Sequence, residues 1–348
     1  MITGGAGFIG SALVRRFIQH TEHEVLNFDK LTYAGVLASL DEVAGSNRYN
    51  FVQGDVADAA RVSETIRNFR PDMIAHLAAE SHVDRSLDGP SAFVTTNLVG
   101  TFTLLDAALS YWRELPSDSQ DRFRFHHIST DEVFGSLGAD GLFSESTPYD
   151  PRSPYSASKA GADHLVRAWG HSYGLPVLVT NCSNNYGPFH FPEKLIPLVI
   201  IRALAGDSLP VYGDGGNVRD WLFVEDHVRA LQLVLERAAP GQTYNVGGNS
   251  ERTNLQVVET ICDVLDRRQP RTDSLSYSKQ IEFVEDRPGH DRRYAIDASK
   301  IREDLGWEPA TSFDEGISMT VDWYIENERW WRPLLDQRYN TTRLGTGS

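Results

Sequence analysis

A doubly wound parallel α/β sheet carrying a smaller C-terminal lobe is what this sequence predicts, on three observations. The chain opens on a glycine-rich stretch, Thr3-Gly4-Gly5-Ala6-Gly7-Phe8-Ile9-Gly10, that runs straight into a helix-period apolar pattern at Leu13, Val14, Phe17 and Ile18. Short apolar runs then alternate with helical patterns, the order that builds a parallel sheet with helices on both faces. After residue 181 the alternation gives way to long loops rich in aromatic and basic residues.

The bulk composition limits the rest. With 348 residues and 41% hydrophobic content, the chain can bury a sizeable core, as two domains or as one large α/β unit with an attached lobe. A formal net charge of -15 makes the average surface repel nucleic acid and anionic membranes, so neither is an expected partner. A phosphate-bearing ligand must then be held locally by loops and a few arginines. Cys182 and Cys262 both sit in apolar sequence and read as small buried thiols of a reducing compartment, with no metal-ligand spacing around them. No signal-peptide pattern and no apolar run long enough to span a bilayer stands out, so a cytoplasmic location is expected.

The glycine loop comes first. Gly4, Gly7 and Gly10 have dinucleotide-loop spacing: a tight turn, close approach to a pyrophosphate and close helix packing each require a missing side chain. The helix N-terminus behind Phe8 and Ile9 supplies donors and positive dipole to the anion, the arrangement of a Rossmann-type fold. Only Met1, Ile2 and Thr3 precede the loop, so the first strand is expected to be short or truncated. Residues 24–29 read as a second strand ending in Asp29, at the distance from the loop that the fingerprint requires. Asp29 would accept a hydrogen bond from a ribose hydroxyl and repel a phosphate there, favouring NAD over NADP. Its plain alternative is a helix cap or loop acid.

Further strands at 49–52 and 73–78 enclose a helical pattern through Val62, Ile66 and Phe69. Asp55 and Val56, and then Leu77, Ala78 and Ala79, fall at the ends of those strands, where they should line a cofactor cleft. An amphipathic helix from about 90 to 111 precedes a strand at 123–128. That strand leads to Ser129-Thr130-Asp131-Glu132-Val133-Phe134-Gly135. In an extended strand Asp131 and Glu132 would point to opposite faces, so both serve one pocket only if the strand has ended by Thr130. A solvated turn is the alternative.

Residues 137–152 form a loop, and Pro154 opens a helix running to about 173 that places Tyr155 and Lys159 one turn apart. An ammonium beside a phenol, helped by the positive nicotinamide ring, favours phenolate and lets Tyr155 act as a base near neutral pH, although the same spacing also occurs as a surface pair. Beyond the strand 177–181, the run Val211-Tyr212-Gly213-Asp214-Gly215-Gly216 followed by Arg219 puts an arginine beside a flexible loop suited to a diphosphate. A helix at 225–235 and a strand at 244–246 should return to the sheet. Asn254 reads as the N-cap of a helix through Val257, Val258, Ile261 and Leu265. Asp286-Arg287-Pro288-Gly289-His290-Asp291 is a second arginine-bearing loop, or a solvated turn. A terminal helix passes through Ile317, Val321 and Tyr324. The expected division is 1–181 as the dinucleotide-binding domain with 219–246 returning to it, 182–218 and 247–335 as the substrate-binding lobe, and 336–348 as a flexible tail.

Together these residues resemble the extended short-chain dehydrogenase/reductase family, through Gly4-Gly5-Ala6-Gly7-Phe8-Ile9-Gly10 and Tyr155-Ser156-Ala157-Ser158-Lys159. Within that family they are most similar to the nucleotide-sugar 4,6-dehydratases. The likeness rests on Asp29-Lys30-Leu31-Thr32-Tyr33-Ala34-Gly35, Ala79-Glu80-Ser81-His82-Val83-Asp84-Arg85-Ser86, Thr130-Asp131-Glu132, Asn181-Cys182-Ser183-Asn184-Asn185-Tyr186-Gly187-Pro188, Pro192-Glu193-Lys194-Leu195-Ile196-Pro197 and the Asp286 loop, nearly the whole chain. The Thr-Asp-Glu triplet is the specific part, since epimerases of the same fold look similar at the loop and the Tyr-Lys pair but lack the two carboxylates. Phe134, Val36 and a short loop before Pro154 depart from the family pattern, and none touches the expected proton transfers.

The resemblance implies NAD as cofactor and dTDP-glucose as substrate, dehydrated to the 4-keto-6-deoxy sugar. Tyr155, assisted by Lys159 and positioned by Thr130, would take the C4 hydroxyl proton; Glu132 would remove the C5 proton; and Asp131, kept protonated, would donate to the departing C6 hydroxyl. Further cofactor contacts are implied at Lys30, Leu31, Thr32, Ser81, Thr96 and Asn185. Substrate contacts are implied at Ser81, Thr130, Asn184, Lys194, Leu195, Pro210, Tyr212, Arg219, Asn254, Arg287 and His290. A homodimer is implied too, with the helices near 90–111 and 154–173 joining in a four-helix bundle. The alternatives are a 4-epimerase or decarboxylase of the same fold, or a catalytically idle NAD-binding regulator. The idle protein would have no reason to retain both the triplet and the Tyr-Lys pair.

Overall fold

Seven strands hydrogen-bond side by side in one parallel sheet, and their order fixes where a ligand can bind. The structure, a computed structural model, describes residues 1–286 and 291–338. In chain order the strands are β1 (Ile2–Thr3), β2 (Val25–Asp29), β3 (Tyr49–Gln53), β4 (Met73–His76), β5 (Arg124–Thr130), β6 (Val177–Cys182) and β7 (Thr243–Val246). They lie in the order β7-β6-β5-β4-β1-β2-β3. The chain winds outward from β1 to β3, crosses back to β4 and winds outward again, so the topological switch lies between β1 and β4, where open α/β sheets take their ligands.

β1 has two residues, as short as expected, yet it sits at the centre. Ile2 pairs with Asn27 and Ala75, and Thr3 with Phe28 and His76. Every residue of β2 and β6 is buried, as strands covered on both faces must be. On the faces lie Phe8–His20, which buries Leu13, Val14, Phe17 and Ile18 as their period predicts, and Ala59–Phe69, whose N-terminal amides are capped by the Asp58 carboxylate. Pro154–Tyr173 starts in a reciprocal cap between Ser153 and Ser156 and stops at Gly174, which turns the chain with φ 74°. Phe134, one of the departures from the family pattern, stacks on Phe143 with ring centroids 5.2 Å apart.

Four expectations need correction. The helix Pro90–Arg113 is by length and composition apolar enough to cross a bilayer, against the expectation that no such run stands out, although 56% of its most apolar stretch is buried inside the protein. The strand Val218–Phe223 does not return to the main sheet. It pairs with Asn184–Tyr186 and Glu251–Thr253 in a sheet of the lobe, and the chain rejoins the main layer only with the helix Val224–Arg237. The N-cap of Asn254–Arg268 is Thr253, whose hydroxyl accepts from the Gln256 amide while Gln256 reaches back to it, so Asn254 is the first helical residue. Finally, a second terminal helix, Glu328–Arg338, follows Phe313–Glu326 and extends into the stretch assigned to a flexible tail.

The lobe has a core of its own, in which Ile196, Ile200, Trp221, Ile261, Ile317 and Tyr324 are all buried. It stands over the carboxyl ends of β1, β4 and β5. The space between is the candidate site.

Candidate active site

A cleft of about 500 Å³ runs from the glycine loop to the lobe, and nearly every residue singled out from the sequence lines it. At its inner end the glycines are needed for space. A Cβ on Gly4, which has φ 70°, would meet the Ala78 amide nitrogen at 2.7 Å, and one on Gly10 would meet the Gly4 carbonyl oxygen at 2.1 Å. Gly7 is the N-cap of Phe8–His20 and offers no side-chain cap, so the first amides of that helix are left to an incoming anion. Asp29 ends β2 inside the cleft, accepting from the Ala6 amide at 2.9 Å and the Leu31 amide at 2.8 Å. Burial raises its pKa, and those two donors oppose the rise. Lys30 reaches Asp55 at 2.6 Å across the same wall. This loop, dipole and acid set fits an NAD-type dinucleotide.

Leu31, with φ 58°, donates its amide to Asp29 and is not among the residues that line the cleft. Thr96 and Asn185 do line the cleft; Asn185 is held by His227 Nδ1 at 2.8 Å.

At the middle of the cleft the strand alternation breaks where it must. β5 ends at Thr130, and Asp131–Phe134 forms a single 3₁₀ turn, which brings both Asp131 and Glu132 to the wall that Tyr155 also lines. Thr130 Oγ1 donates to Asp131 Oδ1 at 3.4 Å and accepts from the Glu132 amide at 3.3 Å, and it hydrogen-bonds the Tyr155 phenol. Asp131 is 2% exposed, and its Oδ2 has no hydrogen-bond partner among the described residues. Burial first, then the charges of Glu132 and Asp220, hold its pKa well above the usual carboxylate range. Asp131 is thereby suited to hold a proton beside Glu132 on the same wall.

Burial, and after it Glu132, pushes the Tyr155 phenol well above its ordinary value, so the Tyr-Lys pair does not by itself yield a phenolate. Lys159 is buried behind it and donates to the Ile128 carbonyl at 2.8 Å. A cationic ring bound beside Tyr155 would act against that rise.

At the outer end, Ser81, Asn184, Lys194, Leu195, Pro210, Tyr212, Arg219 and Asn254 all line the cleft. Arg219 donates to the Asp291 carbonyl at 3.0 Å and lies over the Tyr294 ring, 4.3 Å from its centroid. Arg287 and His290 lie outside the described residues. Sequence reasoning missed His190, which stacks on Phe8 at 4.1 Å, and also Glu193, Trp221 and Tyr294 on the cleft wall. No period or spacing marked them: His190, Glu193 and Tyr294 come from irregular segments, and Trp221 from the strand Val218–Phe223, which the expected topology placed elsewhere.

Comparison with known proteins agrees with this geometry. A family model described as GDP-mannose 4,6 dehydratase matches residues 1–320. A dTDP-glucose 4,6-dehydratase of Neisseria meningitidis is 58% identical, over 100% of this chain and 99% of its own. The solved dTDP-glucose 4,6-dehydratase of Streptomyces venezuelae, with NAD and TYD bound, matches at TM-score 0.87 and 45% identity, over 96% of this chain and 98% of that one. A UDP-glucose 4-epimerase of Thermus thermophilus in complex with NAD matches at TM-score 0.81 and 29% identity, over 94% and 98%.

Proposed function

This chain belongs to the GDP-mannose 4,6 dehydratase family, and we propose that within it the chain carries out the NAD-dependent dehydration of dTDP-glucose to dTDP-4-keto-6-deoxyglucose. The observation that carries this reading is the 3₁₀ turn that sets Asp131 and Glu132 together on the wall beside Tyr155. An epimerase interconverts C4 configurations and has no proton to move at C5 or C6. A dehydratase needs one acid and one base more, and those are the two groups found.

Bound NAD would supply the oxidising power at C4 and return the same electrons to C6, held by the glycine loop, Asp29 and the wall from Leu77 to Ala79. The protein supplies the proton traffic. Tyr155 takes the C4 hydroxyl proton, with Thr130 fixing the phenol by a hydrogen bond. The C4 ketone acidifies C5, and Glu132 removes that proton. Asp131 is held protonated by burial and by its neighbour, and it gives its proton to the C6 hydroxyl so that it leaves as water. Arg219, Lys194 and Asn254 would receive the nucleoside diphosphate, Arg219 already aligned by Tyr294. As the electrons return to C6, C5 takes back a proton, for which Glu132, now protonated, is the placed donor; in balance, the sugar loses water and the cofactor ends as it began. Incubation with dTDP-glucose is therefore expected to give a 4-keto-6-deoxy product with no net reduced cofactor, read by NMR of the sugar; a galactose epimer as sole product would overturn the reading.

A homodimer in the cytoplasm belongs to the same reading. The helices Pro90–Arg113 and Pro154–Tyr173 pack side by side and leave Val94, Val99, Phe102 and Tyr173 between 44% and 48% exposed, an apolar strip suited to a second copy. Light scattering should report twice the chain mass of 38.9 kDa, and a monomer would contradict this part.

A further inference from the structure

Behind the site lies a buried carboxylate that the mechanism leaves unused. Asp163 is on the same helix as Lys159, one turn further on, and is 0% exposed. Its Oδ2 accepts from Ser129 Oγ at 2.9 Å, Tyr149 OH at 2.8 Å and Asn181 Nδ2 at 3.3 Å. Its Oδ1 faces His127 Nε2 at 3.1 Å, and the same ring nitrogen lies 3.4 Å from Lys159 Nζ. Tyr149 in turn is held by Arg167 at 2.7 Å. Donors from β5, β6 and the loop before the helix thus converge on Oδ2, while Oδ1 has no hydrogen-bond partner among the described residues and faces the His127 ring. Three donors on one oxygen favour the ionised form of this buried acid.

Lys159 has the opposite need. It is 4% exposed, and its one close acceptor besides His127 is a neutral carbonyl. We propose that Asp163 is the positioning residue for this lysine: its charge, passed across the His127 ring, keeps Lys159 protonated and drawn against β5, so that Tyr155 has a cation behind it when the C4 proton leaves.

The groups facing this unit are few. His127 comes from β5, Cys182 from β6 and His76 from β4, its ring 5.3 Å from that of His127; Tyr149 comes from the preceding loop and Arg167 from the next turn of the helix, while Asp131 and Glu132 in the 3₁₀ turn face Tyr155. Burial, and then Lys159, lowers the His127 pKa to about 4, so the ring is neutral at physiological pH and does not itself supply the charge that Asp163 carries. Burial works against the ionised Asp163, yet the contacts to His127, Lys159 and Tyr149 bring its pKa below the ordinary value. For Lys159 the signs reverse: burial lowers its pKa and Asp163 is the first influence that raises it. Removing Asp163 therefore moves the lysine in one direction, towards the neutral amine.

The chain has five lysines, few enough for isotope-labelled lysine to be followed by NMR through a pH titration, with Lys159→Arg to assign the resonance. In the wild type Lys159 is expected to remain protonated at neutral pH despite its burial. In Asp163→Asn its pKa should fall by about one unit or more. Tyr149→Phe, which removes a hydrogen bond but keeps the charge, should not lower it. The kinetic consequence rests on the proposed function: the oxidation step, which takes no proton from Asp131, should lose its alkaline limb at correspondingly lower pH in Asp163→Asn, with the KM for dTDP-glucose within about twofold of wild type. A Lys159 already neutral in the wild type at neutral pH overturns the proposal, and this needs no variant to fold. An unmoved titration in Asp163→Asn overturns it as well. Wild-type protein without dehydratase activity would sink the proposed function and leave the titration standing.

Discussion

Glu132→Gln is expected to lower kcat for dehydration by about three orders of magnitude while leaving the first oxidation intact. Gln keeps the size of the side chain and its place in the 3₁₀ turn but cannot take a proton. The substrate should then stop as the 4-ketone on the enzyme, and the absorbance of reduced nicotinamide should rise on mixing and persist. Rapid-mixing spectroscopy reads this directly, and exchange of the C5 proton with solvent deuterium should vanish in parallel. Two further features make the prediction specific. Glu132 lies close enough to raise the pKa values of both Asp131 and Tyr155, so its neutralisation should ease ionisation of the phenol rather than hinder it. A variant that turned over normally would remove the base assignment, and one that also failed to oxidise C4 would show that Glu132 acts earlier than assigned.

Tyr155→Phe is the complementary case. It should lower kcat by about two to four orders of magnitude with no build-up of reduced cofactor, because the C4 hydroxyl proton has nowhere to go. The residue is 8% exposed, and the substitution removes the hydrogen bond between its phenol and Thr130. Phe fills nearly the same volume against Phe93, whose ring is 6.3 Å away edge-on, so the fold should survive and substrate affinity should change little. The ratio of the two variants' cofactor transients is the decisive measurement: a persistent one in Glu132→Gln and none in Tyr155→Phe separates oxidation from elimination. Equal transients in both would mean that the two residues do not divide the steps in this way.

The likeness to solved dehydratases and epimerases alike is a likeness of scaffold. In the proposed reading, the chemistry of elimination is carried by one turn after β5. That turn is only partly legible in the sequence. Asp131 and Glu132 read as two acids at the end of a strand, but a strand would send them to opposite faces. The 3₁₀ geometry of Asp131–Phe134, with Thr130 capping its first amide, is what turns both into one cleft. Asn254 shows a related limit: both it and Thr253 are good caps, and the choice falls to Thr253 because Gln256 completes the reciprocal pair. The strand Val218–Phe223 pairs in the lobe with partners more than 25 residues away in the chain on both sides, which a local pattern cannot reveal.

What the sequence determined by itself is what short-range sterics and periodicity control. The spacing of Gly4, Gly7 and Gly10 admits a loop that no other residue fits, the 3.6 period of Leu13, Val14, Phe17 and Ile18 sets the face of the helix behind it, and Tyr155 and Lys159 one turn apart follow from helix geometry. The tertiary structure alone decided the direction in which the site's acids are shifted. Asp131 is raised by its burial first, then by Glu132 and Asp220, and Tyr155 is raised because it is buried beside Glu132. The charge behind Lys159 depends on Asp163 being satisfied by Ser129, Tyr149 and Asn181, three donors from separate elements. Desolvation and Coulomb interaction depend on which groups surround an atom in space, and those neighbours are fixed only when the sheet and the lobe have closed around them.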